Sequence, residues 1–204
     1  MADMSITAFK ARIAGRAARP NLFEVVPAWP VVISAGLNGL GSEFRFLCKA
    51  AQIPPGTVGE LDIPFRGRHL YVPSGDRTYE AWTITILNDT DYTYRRAFEN
   101  WHRLINDPRT NLRQVDIPNL LTDWTVYQLN GRGQRVQGYR LVDSWPQAIG
   151  GIDLNNDTDN TIEEFTVSIR YQYWEHIDIT NALSGILNAA STIDALAGDA
   201  GISL

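Results

Sequence analysis

The chain has 204 residues, enough for one domain with a sizeable core or at most two small ones. With 44% hydrophobic and 20% charged residues it has the composition of a folded protein, not of a disordered one. The net charge of -5 disfavours general nucleic-acid binding, and the single Cys48 excludes an internal disulfide framework or a Cys-rich metal site. His69, His102 and His176 are too scattered to form a ligand motif. Lys10, Arg12, Arg16 and Arg19 make the N-terminus basic with no apolar core behind them, and Pro27 and Pro30 interrupt the apolar run at 25–33. The expectation is a chain without a membrane anchor, made and kept soluble in a cytoplasm.

In chain order, residues 1–19 are Ala- and Arg-rich and suit a short helix or a mobile arm. Phe23, Val25 and Val26 predict an extended segment ended by Pro27 and Pro30. Phe44, Phe46 and Cys48 alternate with Arg45 and Lys49, the pattern of a half-buried strand. From Gln52 to Asp76 the density of proline and glycine predicts a long excursion with short extended pieces at 60–66 and 69–72. Tyr79 to Leu87 alternates cleanly and predicts a strand with Trp82, Ile84 and Ile86 on one face.

The cluster Asn88-Asp-Thr-Asp then supplies N-cap residues for a helix. Tyr94, Ala97, Phe98, Trp101, Leu104 and Ile105 form its apolar face, and Asn106-Asp-Pro stops it. Two strands follow at 124–129 and 136–142, joined by the turn signal Asn130-Gly-Arg-Gly, with another short extended segment beginning at Trp145-Pro146. An Asp/Asn-rich loop at 155–160 precedes the most regular strand, 164–174, which places Phe165, Val167, Ile169, Tyr171 and Tyr173 on one face. In the tail, Leu183, Ile186, Leu187, Ala190, Ile193 and Leu196 recur at helical spacing. The expected fold is mainly β: an antiparallel barrel or sandwich with one flanking helix, an extended loop and terminal arms.

No catalytic constellation is found. Phosphate-loop, nucleophile-elbow and zinc-helix motifs are missing, so neither a catalytic nor a cofactor or metal role is expected. Asp153, Asp157, Asp159, Glu163 and Glu164 lack the spacing and central glycine of a calcium loop and read as a solvated acidic turn. Asp76 and Arg77 suit a local ion pair, Cys48 a small core residue and His102 an ordinary surface histidine. The aromatic residues could form a carbohydrate platform, but Trp82, Trp101, Tyr171 and Tyr173 fall on faces expected to be buried. The excursion, the basic arm and the amphipathic tail are appendages that a lone monomer does not require.

Arg19-Pro-Asn-Leu-Phe-Glu-Val, Cys48-Lys-Ala, Gly75-Asp-Arg-Thr, Trp82-Thr-Ile-Thr and Asn88-Asp, followed by Trp145-Pro, Glu164-Phe-Thr-Val and Tyr173-Trp-Glu, are collinear motifs. In that order they resemble the tail-tube protein of contractile-tailed bacteriophages. The resemblance covers residues 19–175, leaving an N-terminal arm at 1–18 and a C-terminal extension at 176–204. It implies a structural subunit, with no enzymatic activity and no cofactor, that forms hexameric rings stacked into a hollow tube for DNA ejection. Implied partners are the chain itself, the tail sheath, the baseplate and tail terminator proteins, with double-stranded DNA in transient passage. The implied location is the virion, after assembly in the host cytoplasm.

By the same resemblance the excursion reaches the adjacent ring. Candidate contacts are Pro54, Pro55, Val58, Ile63, Phe65, Arg66, Asp76 and Arg77, with Arg19 at the start of the matched region. Glu80 and Glu164 are candidates for an acidic lumen, where carboxylates would repel phosphates. An inner tube of a phage-like bacteriocin or injection device, and a monomeric β-sandwich carbohydrate-binding module, stay open as alternatives.

Overall fold

Alternation of Trp82, Ile84 and Ile86 with Thr83 and Thr85 builds the centre of the fold. A computed structural model describes residues 5–13, 17–35, 43–157 and 159–179. In it Trp82–Leu87 pairs antiparallel with Glu164–Arg170, in the register Trp82↔Ile169, Ile84↔Val167 and Ile86↔Phe165. All six of these side chains are buried, so the paired strands present one continuous apolar face. Thr83, Thr85, Thr166 and Ser168 take the other face, where the Thr83 and Ser168 hydroxyls lie 3.2 Å apart.

The elements in order are α1 (Ile6–Ile13), β1 (Phe23–Val26), α2 (Val31–Ser34), α3 (Phe44–Leu47), β2 (Cys48–Ala51), β3 (Thr57–Phe65) and β4 (Arg68–Thr78). Then come β5 (Trp82–Leu87), α4 (Thr93–Ile105), a 3-10 turn (Ile117–Leu120), β6 (Thr122–Leu129), β7 (Arg135–Ile149), β8 (Glu164–Arg170) and β9 (Tyr173–Ile177). The main sheet has the order β1-β6-β7-β8-β5-β2 with β9 also paired to β7, while β3 and β4 form a two-stranded sheet of their own. The fold is mainly antiparallel β with one long flanking helix, as expected. The chain divides into two compact units, one of residues 1–23, 127–138 and 176–204, the other of 24–126 and 139–175.

Helix α4 supplies the second layer of the larger unit. Its buried stripe is Tyr94, Ala97, Phe98 and Trp101, and the Asp89 carboxylate caps its first turn by accepting the Thr93 N–H at 2.9 Å. These rings meet Trp29, whose centroid lies 4.9 Å from Phe98, 5.6 Å from Trp124 and 5.9 Å from Trp101. Such offset and edge contacts suit aromatic quadrupoles better than face-to-face stacks. Trp82, Trp101 and Trp124 are fully buried, so they form core and not an exposed platform.

Several local expectations are corrected. Phe44–Leu47 is a helical turn and only Cys48 onward is strand. Phe44 and Cys48 are buried, whereas Phe46 is 75% exposed under the Arg45 guanidinium. Residues four apart share a side in both helix and strand, so only Phe46 could discriminate. The excursion is not a set of short pieces but the continuous ribbon β3–β4. The segment at Trp145-Pro146 belongs to β7, which bends at Asp143 (φ 53) and shifts register between Pro146 and Ala148. Strand 164–174 breaks at Tyr171 and Gln172, and Tyr173 is 42% exposed where burial was expected. In the turn after β6 only Gly133 takes positive φ. The tail periodicity at 183–196 lies outside the described residues.

Candidate functional site

The ribbon β3–β4 is the feature that the core does not account for. Its register pairs Leu61 with Val72, Ile63 with Leu70 and Phe65 with Arg68, and, on the alternate positions, Glu60 with Pro73, Asp62 with Tyr71 and Pro64 with His69. Side chains alternate across a strand, so Leu61, Ile63, Phe65, Leu70 and Val72 share one face. Each of them is exposed, from 37% at Val72 to 65% at Phe65. The opposite face is polar: His69 Nδ1 lies 2.8 and 2.9 Å from the Asp62 carboxylate oxygens, and the His69 ring stacks on Tyr71. The ribbon is therefore amphipathic with its apolar face uncovered, a pattern that marks a contact surface.

Local chemistry explains its shape. Arg66 and Gly67 both have positive φ (46 and 82), the backbone of a two-residue primed turn whose twist suits a tight hairpin. Pro64 and Pro73 are tolerated because both strands of a two-stranded ribbon are edges. Near the base the register shifts between Val58 and Glu60, where a Cβ on Gly59 would come within 2.5 Å of Ser74 Oγ. At the root, the Trp82 indole donates to the Gln52 carbonyl at 2.5 Å.

Of the candidate contacts, Val58, Ile63, Phe65 and Arg66 lie on this ribbon and are exposed, with Arg66 stacked over the Phe65 ring. Asp76 and Arg77 are exposed near the end of β4, and among the described residues no ion pair joins them. Pro55 and Arg19 are exposed, but Pro54 is buried within the chain and presents no surface. Glu80 is exposed, whereas the Glu164 carboxylate pairs with Lys49. Sequence reasoning missed Leu61, whose period-2 spacing with Ile63 and Phe65 carried the signal, and Leu70 and Val72, which only the register brings to the same face.

Elsewhere, several titratable groups are engaged in structure. Cys48 is buried and its thiol is pushed up to about 12 by desolvation. His102 is not a plain surface residue: its Nε2 meets the Pro146 carbonyl at 3.0 Å. A groove of about 860 Å³ is lined by Lys49, Leu87 and the loop leading into β8. Its Glu163 accepts the Tyr92 hydroxyl, a hydrogen bond that raises the Tyr92 pKa, and its Glu164 is held by Lys49. No group of three or more potential metal-ligating side chains occurs among the described residues.

Among the described residues, the fold is an antiparallel sheet with a separate amphipathic ribbon whose apolar face is exposed. The family model described as phage tail tube protein matches residues 18–177. The chain is 30% identical over 162 residues to the tail tube protein gp19 of Enterobacteria phage T4, covering 79% of this chain and 93% of that protein. It is 28% identical over 147 residues to the tail tube protein of Serratia phage KSP90, covering 70% and 82%. The fold is shared with a chain from the extended sheath–tube complex of the extracellular contractile injection system PVC, at TM-score 0.54, 12% identity and coverage of 87% and 100%. A chain from the six-fold symmetrised baseplate of the anti-feeding prophage gives TM-score 0.55 at 14% identity, covering 80% and 97%.

The chain belongs to the phage tail tube protein family, and is a structural subunit of a contractile phage tail tube. The injection-device and carbohydrate-module alternatives are not favoured.

Proposed function

We propose that this subunit forms hexameric rings that stack into a hollow tube, with the apolar face of β3–β4 buried against the neighbouring copies. The observation that carries this reading is the contiguous exposed face of Leu61, Ile63, Phe65, Leu70 and Val72. Head-to-tail contacts around a ring are heterologous and close on themselves, so every copy can bury this face. Val58, Arg66, Asp76 and Arg77 flank it, and Arg19 and Pro55 extend the contact.

The tube conducts double-stranded DNA during ejection. Among the two lumen candidates, Glu80 carries the freer charge, since Lys49 meets that of Glu164. Repetition around a ring turns one exposed carboxylate into a belt that repels phosphate. The sheath surrounds the tube, and the baseplate and terminator close its ends; the site of action is the virion, after assembly in the host cytoplasm. The role is structural, without a reaction of its own. Negative-stain electron microscopy of the purified chain tests the reading: rings or hollow tubes are expected. A monodisperse particle of 22.8 kDa at every concentration would overturn it.

A further inference from the structure

The ribbon β3–β4 and the loop leading into β8 belong to opposite ends of one strand pair. Cys48 pairs with Ile86 and Ala51 with Ile84, so β2 runs toward the Trp82 end of β5. The chain leaves for the ribbon from Gln52, whose carbonyl the Trp82 indole holds, and it returns from Thr78 into Trp82. The ribbon is thus rooted where Trp82 faces Ile169, whereas the loop at 150–163 enters β8 where Leu87 faces Glu164. The six residues of β5 separate the two ends by about 17 Å.

The groove at the Leu87 end carries a second uncovered apolar surface. Its volume of about 860 Å³ is of a size that admits several side chains. Leu154 and Ile162 line it at 83% and 69% exposure, more than any residue on the ribbon's apolar face. Residues 150–169 contain Asp153, Asp157, Asp159, Glu163 and Glu164 but no lysine or arginine, and Lys49 meets the charge of Glu164 alone.

The turn of the ribbon has the converse chemistry. Residues 63–70 contain Arg66 and Arg68 and no carboxylate, and both arginines are exposed. Arg66 lies over the ring of Phe65, so an apolar group and a cation are presented together. Apolar surface on both sides favours burial, and opposite charge fixes which surfaces meet. A ribbon rooted at one end of a subunit and a groove at the other make a heterologous contact, which repeats from copy to copy.

Building on the reading that the ribbon is an assembly contact, we propose that its turn, residues 65–68, seats in this groove of a second copy. Phe65 packs against Leu154 and Ile162, and Arg66 and Arg68 face the carboxylates of the loop. The loop before β8 is thereby the receiving surface for the ribbon.

Electron microscopy and sedimentation of full-length variants test the assignment. Leu154→Asp should abolish tubes, because docking would bury a charge against Phe65. Reversing the turn (Arg66→Glu with Arg68→Glu) or the loop (Asp153→Arg with Asp157→Arg) should each lower the sedimenting fraction at least about tenfold, and the two reversals combined should restore it. Each free variant should keep the wild-type melting transition, since all five residues are exposed. Tubes lost in Ile63→Asp but retained in Leu154→Asp and in the loop reversal would overturn the groove as the receiving surface while leaving the ribbon as a contact. Combined reversals that stay without tubes would also overturn it. Tubes formed by Ile63→Asp would instead remove the ribbon reading itself.

Discussion

The indole N–H of Trp174 donates to the carbonyl oxygen of Pro55 at 3.1 Å, joining β9 to the root of the ribbon across 119 residues of sequence. Gly56 lies against the same indole: a Cβ built there would sit 3.6 Å from Trp174 Nε1. With Trp82 holding Gln52, two tryptophans fix the strand entry before β3 begins. Trp174→Phe keeps a ring in place but removes the donor, and should cost about 1 kcal/mol. Hydrogen exchange of amides 53–58 should accelerate in the free subunit, while that of β5 and β8 stays unchanged.

The apolar face of the ribbon makes a directional prediction. Ile63→Asp or Phe65→Asp should abolish tubes in electron micrographs, since assembly would bury a charge with no partner. The melting of the free subunit should change by no more than about 0.5 kcal/mol equivalent, because both positions are exposed there. Asp62→Asn, on the opposite face, should retain tubes. Tubes formed by the Ile63 and Phe65 variants would remove the ribbon from the assembly contact.

Gly138 is a position where space decides. A Cβ there would meet the Tyr127 ring at 2.7 Å and the Ile177 side chain at 3.1 Å, with Tyr127 already stacked under the Arg135 guanidinium at 4.1 Å. Gly138→Ala should therefore destabilise the chain by about 1–3 kcal/mol through overpacking. Chemical denaturation would read the loss, and Gly131→Ala is the control, because nothing lies within 4 Å of a Cβ at that position.

Alkaline pH should unfold the protein with a defined sign. Burial raises Cys48 from 9.0 to about 12, and Tyr94 from 10.0 to about 12 with burial as the main cause. Both groups hold their protons more tightly when folded, so their contribution is complete below about pH 9 and declines as the unfolded chain ionises above it. The Cys48 contribution to the slope approaches about 1.4 kcal/mol per pH unit between the two pKa values. Denaturation midpoints measured from pH 8 to 11 should fall accordingly, and Cys48→Ala should flatten the onset. Iodoacetamide at pH 8 should alkylate Cys48 only when the chain unfolds.

Where one physical signal dominated, the sequence was readable. Strict alternation fixed β5 and β8, and an Asx cluster followed by 3.6-residue periodicity located α4 within a residue of its start. The failures occur where two signals share a spacing or where distant residues decide. Phe44 and Cys48 fit either period, and a single exposed Phe46 separated them. Prolines and glycines at 54–75 read as breakers, yet a two-stranded ribbon has free edges that accept Pro64 and Pro73. The hub position of Trp29, the burial of Pro54 and the Lys49–Glu164 pair depend on residues far away in the chain, and no local pattern announces them. Within the candidate surface, Ile63, Phe65 and Arg66 were visible, but the partners that make it a face, Leu70 and Val72, emerge only from the register.

An isolated two-stranded ribbon is marginally stable in water, and this one leaves its apolar side to solvent. With the docking proposed above, ordering of β3–β4 and burial of its apolar face would be one thermodynamic event, making a free subunit a poor template and a docked one a good template. Growth of such a polymer should show a lag, a critical concentration below which no filament persists, and removal of the lag by preformed seeds. The same ribbon would let a preassembled end, and not subunit concentration alone, determine where a filament begins.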